Sequence, residues 1–77
     1  MLRAVIGWNV VVTLLEVNPG EVKCSFRTRD QVEFDVSKVA VALGGGGHKA
    51  AAGAIVRKPI HEAIEEVARV VREILFN

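Results

Sequence analysis

Cysteine is nearly absent from the sequence: Cys24 is the only one in 77 residues. A single cysteine excludes an internal disulfide, and because chains without disulfides are typical of reducing compartments, the sequence favours a cytoplasmic protein. Cys24 occupies an apolar position in an alternating pattern, and nothing next to it in the sequence would activate its thiol. We therefore interpret it as a small buried hydrophobic residue rather than as a nucleophile.

The chain also lacks an excess of charge and a long apolar run. Ten Lys and Arg residues are balanced by nine Asp and Glu residues, which argues against a general electrostatic attraction to nucleic acid, so any such contact must be local. The apolar segment 1–15 is interrupted by Arg3, Asn9 and Thr13. It is therefore short of the roughly 18 uninterrupted apolar residues expected of a membrane span, and it has no signal-peptide cleavage site. We expect no membrane partner.

Groups suited to catalysis are scarce as well. His48 and His61 are the only histidines, and Asp30 and Asp35 are the only aspartates. They form no carboxylate and histidine cluster of the kind that holds a catalytic metal, and no serine or cysteine has a plausible base. The sequence predicts a binding site without visible catalytic machinery.

Apolar residues, by contrast, are abundant. They make up 51% of the chain, which is rich for one domain of this size, since such a domain buries only about 60% of its unfolded surface. Part of the apolar surface is expected to lie against a second domain or a second copy of the chain. A homodimer is therefore one candidate assembly.

The residue pattern predicts three strands and two helices. Runs of β-branched residues and period-two alternation indicate the strands, and apolar residues at helical spacing indicate the helices. An aspartate, Asp35, is placed to cap the first helix, and the glycines that follow this helix are placed to end it. The strands are 9–17, 22–29 and 51–56, and the helices are 36–43 and 60–76. We expect an α/β fold: a small mixed sheet of at least three strands, a hairpin plus a strand after the glycines, packed with two helices.

The glycines form an unbroken run from Gly44 to Gly47, followed by His48 and Lys49 and then by Ala-Ala-Ala-Gly. Such a run does not suit a helix or a strand interior. It offers closely spaced backbone N–H groups, which are the usual ligands of phosphate. The alternative is a close-packed connection between helix and strand that binds nothing.

Two arginines add to this signal. Arg27 and Arg29 are two residues apart, so on a strand they point to the same face, along with Lys23 and Ser25. Such a face is often just the solvated side of a hairpin. A guanidinium fork, however, matches phosphate oxygens in a bidentate manner, and two phosphate-type features in so short a chain support each other.

Two familiar glycine-rich phosphate loops do not fit. A Walker loop requires glycine before its lysine and a hydroxyl residue after it, whereas Lys49 follows His48 and precedes Ala50. The letters Gly45-x-Gly47-x-x-Ala50 match the relaxed dinucleotide fingerprint. That fingerprint follows a strand and opens a helix, whereas this run follows a predicted helix.

Three segments together resemble one family. They read Lys-Cys-Ser-Phe-Arg-Thr-Arg at 23–29, Asp-Val-Ser-Lys-Val-Ala at 35–40 and Gly-Gly-Gly-Gly-His-Lys-Ala-Ala-Ala-Gly at 44–53. Their order and spacing, with the amphipathic helix downstream, are similar to the DHH-associated C-terminal domain of DHH-family phosphoesterases. The resemblance covers residues 10–75. Members include oligoribonucleases that also dephosphorylate phosphoadenosine phosphate, RecJ-type single-strand exonucleases and cyclic dinucleotide phosphodiesterases.

The resemblance implies roles for particular residues. Gly45, Gly46, Gly47 and His48 would bind the substrate phosphate or terminal nucleotide, and Arg27 would hold another phosphate. Arg29 lies where the family accepts a basic residue. The ligand would be a short oligonucleotide or a nucleotide phosphate.

The resemblance also implies what this chain does not supply. Residues 1–77 would be a single substrate-binding domain that is not an enzyme on its own and holds no cofactor. The family's Asp-His-His motif and manganese ligands belong to an upstream catalytic domain, which would be the partner and would make the parent protein a hydrolase. The alternatives are a stand-alone RNA- or tRNA-binding module and a purely structural or dimerisation domain.

Overall fold

The computed structural model describes the backbone of residues 2–6 and the whole of residues 9–76. The described elements are five strands and two helices, in agreement with the expected α/β class. In chain order they are β1 (Leu2–Ile6), β2 (Val10–Asn18), β3 (Glu21–Thr28), α1 (Val36–Ala42), β4 (Gly46–Gly47), β5 (Ala51–Val56) and α2 (Ile60–Leu75).

The five strands form one sheet in the order β1-β2-β3-β5-β4. The predicted hairpin is β2–β3, and the predicted strand after the glycines is β5, paired with β3. A sheet of mixed pairing was expected, but every pairing among the described strands is antiparallel. The reason lies in the topology: β3 and β4 run in the same direction, and β5 lies between them and opposes both.

One face of the sheet carries the core. Side chains alternate along the strands, so that Leu14, Val22 and Phe26 are at most 1% exposed while their sequence neighbours point to the opposite face. Helices α1 and α2 pack on the buried side. The apolar stripe of α2 was expected, and its buried residues are Ala63, Val67, Val70 and Val71.

The other face of the sheet is covered by no element among the described residues, and we call it the open face. It carries the outward positions of β2, β3 and β5, which alternate with the buried ones. Several of its apolar side chains are substantially exposed, including Val11, Leu15 and Ile55 at 40–42%. The outward positions include Val11, Thr13, Leu15, Glu21, Lys23, Ser25, Arg27, Ala51, Gly53 and Ile55.

Helix α1 begins and ends as the sequence predicts. Asp35 caps it, since a carboxylate oxygen accepts the Ser37 N–H at 3.0 Å. Hydrogen bonding from the Ser37 hydroxyl, together with that N–H, holds the pKa of the Asp35 carboxyl below its usual range. At the other end, the Gly44 N–H donates to Val41 and the Gly45 N–H to Ala40, which is the bonding of a Schellman cap.

Two strands were not predicted. β1 belongs to an apolar segment that we read only for membrane and signal features, although Val5 and Ile6 followed by Gly7 are typical of a strand and turn. β4 was not expected, because the glycine run was judged unsuitable for a strand interior: Gly46 and Gly47 pair with Gly53 and Ala52 at the edge of the sheet. Glycine is tolerated because β4 is a two-residue edge strand, and its missing side chains permit a very close approach to β5.

No helix among the described residues has the length and apolar character needed to cross a membrane.

Candidate functional site

A tight hairpin between β4 and β5 positions the histidine of the glycine segment. The His48 N–H donates to the Ala51 carbonyl at 2.8 Å, and the Ala51 N–H donates back to the His48 carbonyl at 3.2 Å. Only Lys49 and Ala50 lie between these two residues. His48 is therefore held directly opposite Ala51, one step beyond the end of β4.

The register of the sheet then aligns His48 with an arginine. Arg27 of β3 pairs with Ala51 of β5, so Arg27, Ala51 and His48 form one row across neighbouring chain segments. With strands about 4.8 Å apart, the Cα atoms of Arg27 and His48 lie about 10 Å from each other. Arg27 and His48 are both exposed, and only the methyl group of Ala51 stands between them. The side chains of Arg27 and His48 can thus approach each other above the methyl group of Ala51.

A second row lies next to the first and is almost free of side chains. Gly46 pairs with Gly53, and Gly53 pairs with Ser25 on β3. The two glycines leave a flat patch of bare backbone at the edge of the open face. The Arg27–Ala51–His48 row runs along one side of this patch.

The four glycines of the run do not serve one purpose. A Cβ on Gly45 would lie 2.1 Å from the Gly53 carbonyl oxygen, and one on Gly47 would lie 2.6 Å from the Ala52 Cα. Gly44 has φ +86°, a left-handed conformation that disfavours other residues. Close packing and backbone geometry therefore account for these three glycines. Gly46 is different, because a Cβ there would meet no atom within 4 Å and its φ is not left-handed.

The backbone donors of the run are less available than expected. The N–H groups of Gly44, Gly45 and His48 all donate to carbonyl groups within the domain. The Gly47 N–H is directed away from β5, because Gly47 and Ala52 follow the fully bonded His48–Ala51 pair and such pairs alternate in an antiparallel ladder. The part of the run that stays open to a ligand is therefore Gly46 and Gly47, beside Arg27 and His48, and the run is not an open row of amides.

Helix α1 fixes the position of the segment from Gly45 to Lys49 through backbone hydrogen bonds. Its first residue, Val36, donates its N–H to the Lys49 carbonyl at 3.1 Å, and Ala40 near its end accepts the Gly45 N–H at 2.7 Å. The segment from Gly45 to Lys49 is thus tied at both ends to one short rigid element. Its geometry is therefore set by the fold of the domain.

The second arginine is less well placed than predicted. The strand was expected to include Arg29, but β3 ends at Thr28. The Arg29 N–H still donates to the Asn9 carbonyl at 2.9 Å, and the residue is exposed. Arg29 therefore sits at the end of the sheet, one row further from His48 than Arg27. His61 lies in the first turn of α2 and is exposed.

Sequence reasoning missed Ala51 and Ser25 as parts of the site. The small residues after the glycine run were a usable signal, since Ala51 and Gly53 leave the space between β3 and β4 open. The sequence does not reveal that β5 pairs with both β3 and β4, because this pairing is non-local, and the positions of Ala51 and Ser25 follow only from it. Among residues 9–76, no group of three or more His, Cys, Asp or Glu residues is arranged to hold a metal ion.

Cys24 is buried beneath this face, at 0% exposure. Burial, and secondarily the negative charge of Glu66, raises the pKa of its thiol to about 11. Because the neutral thiol is favoured in the folded state, Cys24 stabilises the fold below about pH 8.5, the ordinary thiol value. This contribution is lost as the pH rises towards 11.

We therefore expect the wild type to lose thermal stability between pH 8.5 and 11 more steeply than Cys24→Ala. The two proteins differ only in this side chain, so the difference between them isolates the thiol. Melting curves across this range measure it, with iodoacetamide labelling at pH 8 as a second readout, where the folded wild type should stay unlabelled. Equal alkaline slopes, or rapid labelling of the folded protein, would contradict the buried, neutral thiol.

A family model described as "DHHA1 domain" matches residues 1–76 of the chain. No curated protein matches the chain significantly. The family match extends over the sheet, both helices and the whole glycine segment.

Proposed function

Since this chain belongs to the DHHA1 domain family, we propose that it is the substrate-binding domain of a DHH-family phosphoesterase. Domains of this family are accessory to such enzymes and usually follow a DHH catalytic domain. The observation that carries the proposal is the row in which Arg27 and His48 flank the small Ala51. Beside it, Gly46 leaves open a space that no packing demand explains.

Phosphate is the ligand that this arrangement suits best. Arg27 presents a planar fork of donors to phosphate oxygens, His48 adds a donor that becomes cationic on protonation, and Gly47 contributes an outward backbone N–H. The outward carboxylate of β3, Glu21, lies six residues from Arg27, about 20 Å along the strand, and is paired with Arg57. An anion at the Arg27 row therefore lies far from this negative charge.

The substrate would be a short oligonucleotide or a nucleotide phosphate. In the parent protein, manganese bound by the upstream domain would supply the activated water. The residues of this chain would do other work: Arg27 and His48 bind and orient a phosphate, while the bare backbone at Gly46 admits the sugar-phosphate chain. The exposed apolar residues of the open face, among them Val11 and Leu15, would be covered when the two domains meet.

NMR titration of the chain with a nucleoside 5′-monophosphate tests the proposal. We expect shifts at residues 46–48 and at Arg27, and a weaker affinity in His48→Ala. Shifts confined to α2, or none at all, would remove the site and leave a close-packed structural role for the glycine segment. Shifts with long RNA but none with mononucleotides would favour a stand-alone RNA-binding module.

We also expect the 77-residue chain alone to hydrolyse nothing. The assay combines manganese with a short oligoribonucleotide, phosphoadenosine phosphate and a cyclic dinucleotide in turn. The reason is that its described residues present no metal-binding cluster. Turnover above a buffer blank that disappears in Asp30→Ala or Asp35→Ala would show that the chain has its own catalytic centre.

A further inference from the structure

A surface groove of about 540 Å³ lies beside the proposed phosphate site. It runs between the outward side chains of β3 and β5 and the loop that follows α1. Of the residues assigned to the phosphate site, only Gly45 lines it. The lining residues used below are Lys23, Ser25, Leu43, Gly53, Ile55 and Arg57.

The groove has the character of an anion site with an apolar wall. Its charged lining residues are Lys23 and Arg57, and no carboxylate lines it. Arg57 donates to Glu21 at 3.2 Å, but its side chain is 77% exposed, and a guanidinium carries five N–H donors. Ser25 adds a hydroxyl group. Leu43 and Ile55 supply apolar surface against which a sugar or base can pack.

The groove continues the phosphate site along the strands. Lys23 precedes Arg27 by four residues of β3, which corresponds to about 13 Å along the strand. Ser25 and Gly53 lie between the two positions, with Gly46 next to Gly53. A compact anion seated between Arg27 and His48 leaves Lys23 and Arg57 unused, whereas an extended ligand with a further phosphate reaches them across the flat glycine patch.

We propose that this groove is a second subsite, which binds the next phosphate-bearing unit of a linear nucleotide chain whose first phosphate lies between Arg27 and His48. The proposal rests on the proposed function. It makes a phosphorylated dinucleotide, rather than a mononucleotide, the smallest ligand that uses the whole site. Lys23 is the residue that distinguishes the two ligands, because it faces the groove and lies away from the Arg27 row.

The test compares a nucleoside 5′-monophosphate with a 5′-phosphorylated dinucleotide, by NMR titration of wild type, Lys23→Ala and Lys38→Ala. Lys38 is an exposed lysine of α1, so Lys38→Ala removes the same charge as Lys23→Ala at a position away from the groove. We expect the dinucleotide to bind wild type roughly tenfold more tightly than the mononucleotide, as one additional charge-assisted contact allows. Lys23→Ala should abolish this gain and leave mononucleotide affinity unchanged, while Lys38→Ala retains it.

The outcomes separate the two proposals. If the mononucleotide binds at Arg27 and His48 but the dinucleotide gains nothing, or if the two lysine variants behave alike, the second subsite is wrong and the phosphate site stands. If the mononucleotide does not bind wild type, the proposed function itself fails. A mixture of mononucleotide and inorganic phosphate serves as a further arm: shifts at Lys23 and Ser25 equal to those with the dinucleotide would show an unlinked anion site instead of a site for a continuous chain.

Discussion

Gly45→Ala should strongly destabilise the domain, whereas Gly46→Ala should fold normally and weaken phosphate binding. At Gly45 the new methyl group would lie 2.1 Å from the Gly53 carbonyl oxygen and within 3 Å of Ala54, so backbone must move. We expect a cost of about 3 kcal/mol, which in a domain of this size lowers Tm by about 15 °C. Such a free-energy cost is a large fraction of the total stability of a small domain.

Gly46→Ala provides the matched control, because it adds the same methyl group one residue away where nothing lies within 4 Å. Tm should stay the same or rise slightly, since alanine restricts the unfolded chain. Affinity for a nucleoside monophosphate should fall about tenfold or more, and further in Gly46→Val, because the methyl group fills the space of the ligand. Thermal melts and NMR titration of the variants measure both effects. Normal binding by a folded Gly46→Val would assign the glycine run to packing alone.

The local parts of the fold were predictable because local chemistry determines them. The Asp35 cap, the glycine end of α1 and the apolar stripe of α2 each depend on residues within a few positions of one another. The β2–β3 hairpin follows from Pro19 and Gly20 between a run rich in β-branched residues and an alternating segment, and Gly20 has the positive φ that such a turn requires. Strand β1 was missed because its segment was read only for membrane and signal features, and β4 was missed because glycines carry no strand signal.

The site was only partly predictable because its geometry is non-local. The sequence indicates that Arg27 and His48 matter, but 20 positions separate them along the chain. Their alignment depends on the register of β3 with β5 and on the hydrogen bonds of the His48–Ala51 pair. The roles of the glycines likewise depend on what lies opposite each one. Gly45 and Gly47 face the backbone of β5, and Gly46 faces open space. Only the folded chain distinguishes the glycines that close packing requires from the one that faces open space.

Arg27→Ala should weaken binding of a phosphorylated dinucleotide about tenfold without changing Tm. Arg27 is exposed, and no ion pair involving it is found among the described residues, so its removal leaves no buried group without a partner. A charge-assisted contact from an exposed side chain is worth about 1.5 kcal/mol, which corresponds to roughly tenfold in affinity.

Arg29→Ala removes the same charge one row further from His48 and should cost clearly less, about threefold at most, because only long-range attraction is lost. NMR titration at two salt concentrations distinguishes the two contributions: the Arg29 effect should fade at high salt, and most of the Arg27 effect should persist. Equal losses that disappear together in salt would mean that the open face attracts anions in general. The row of Arg27, Ala51 and His48 would then not be a defined phosphate site.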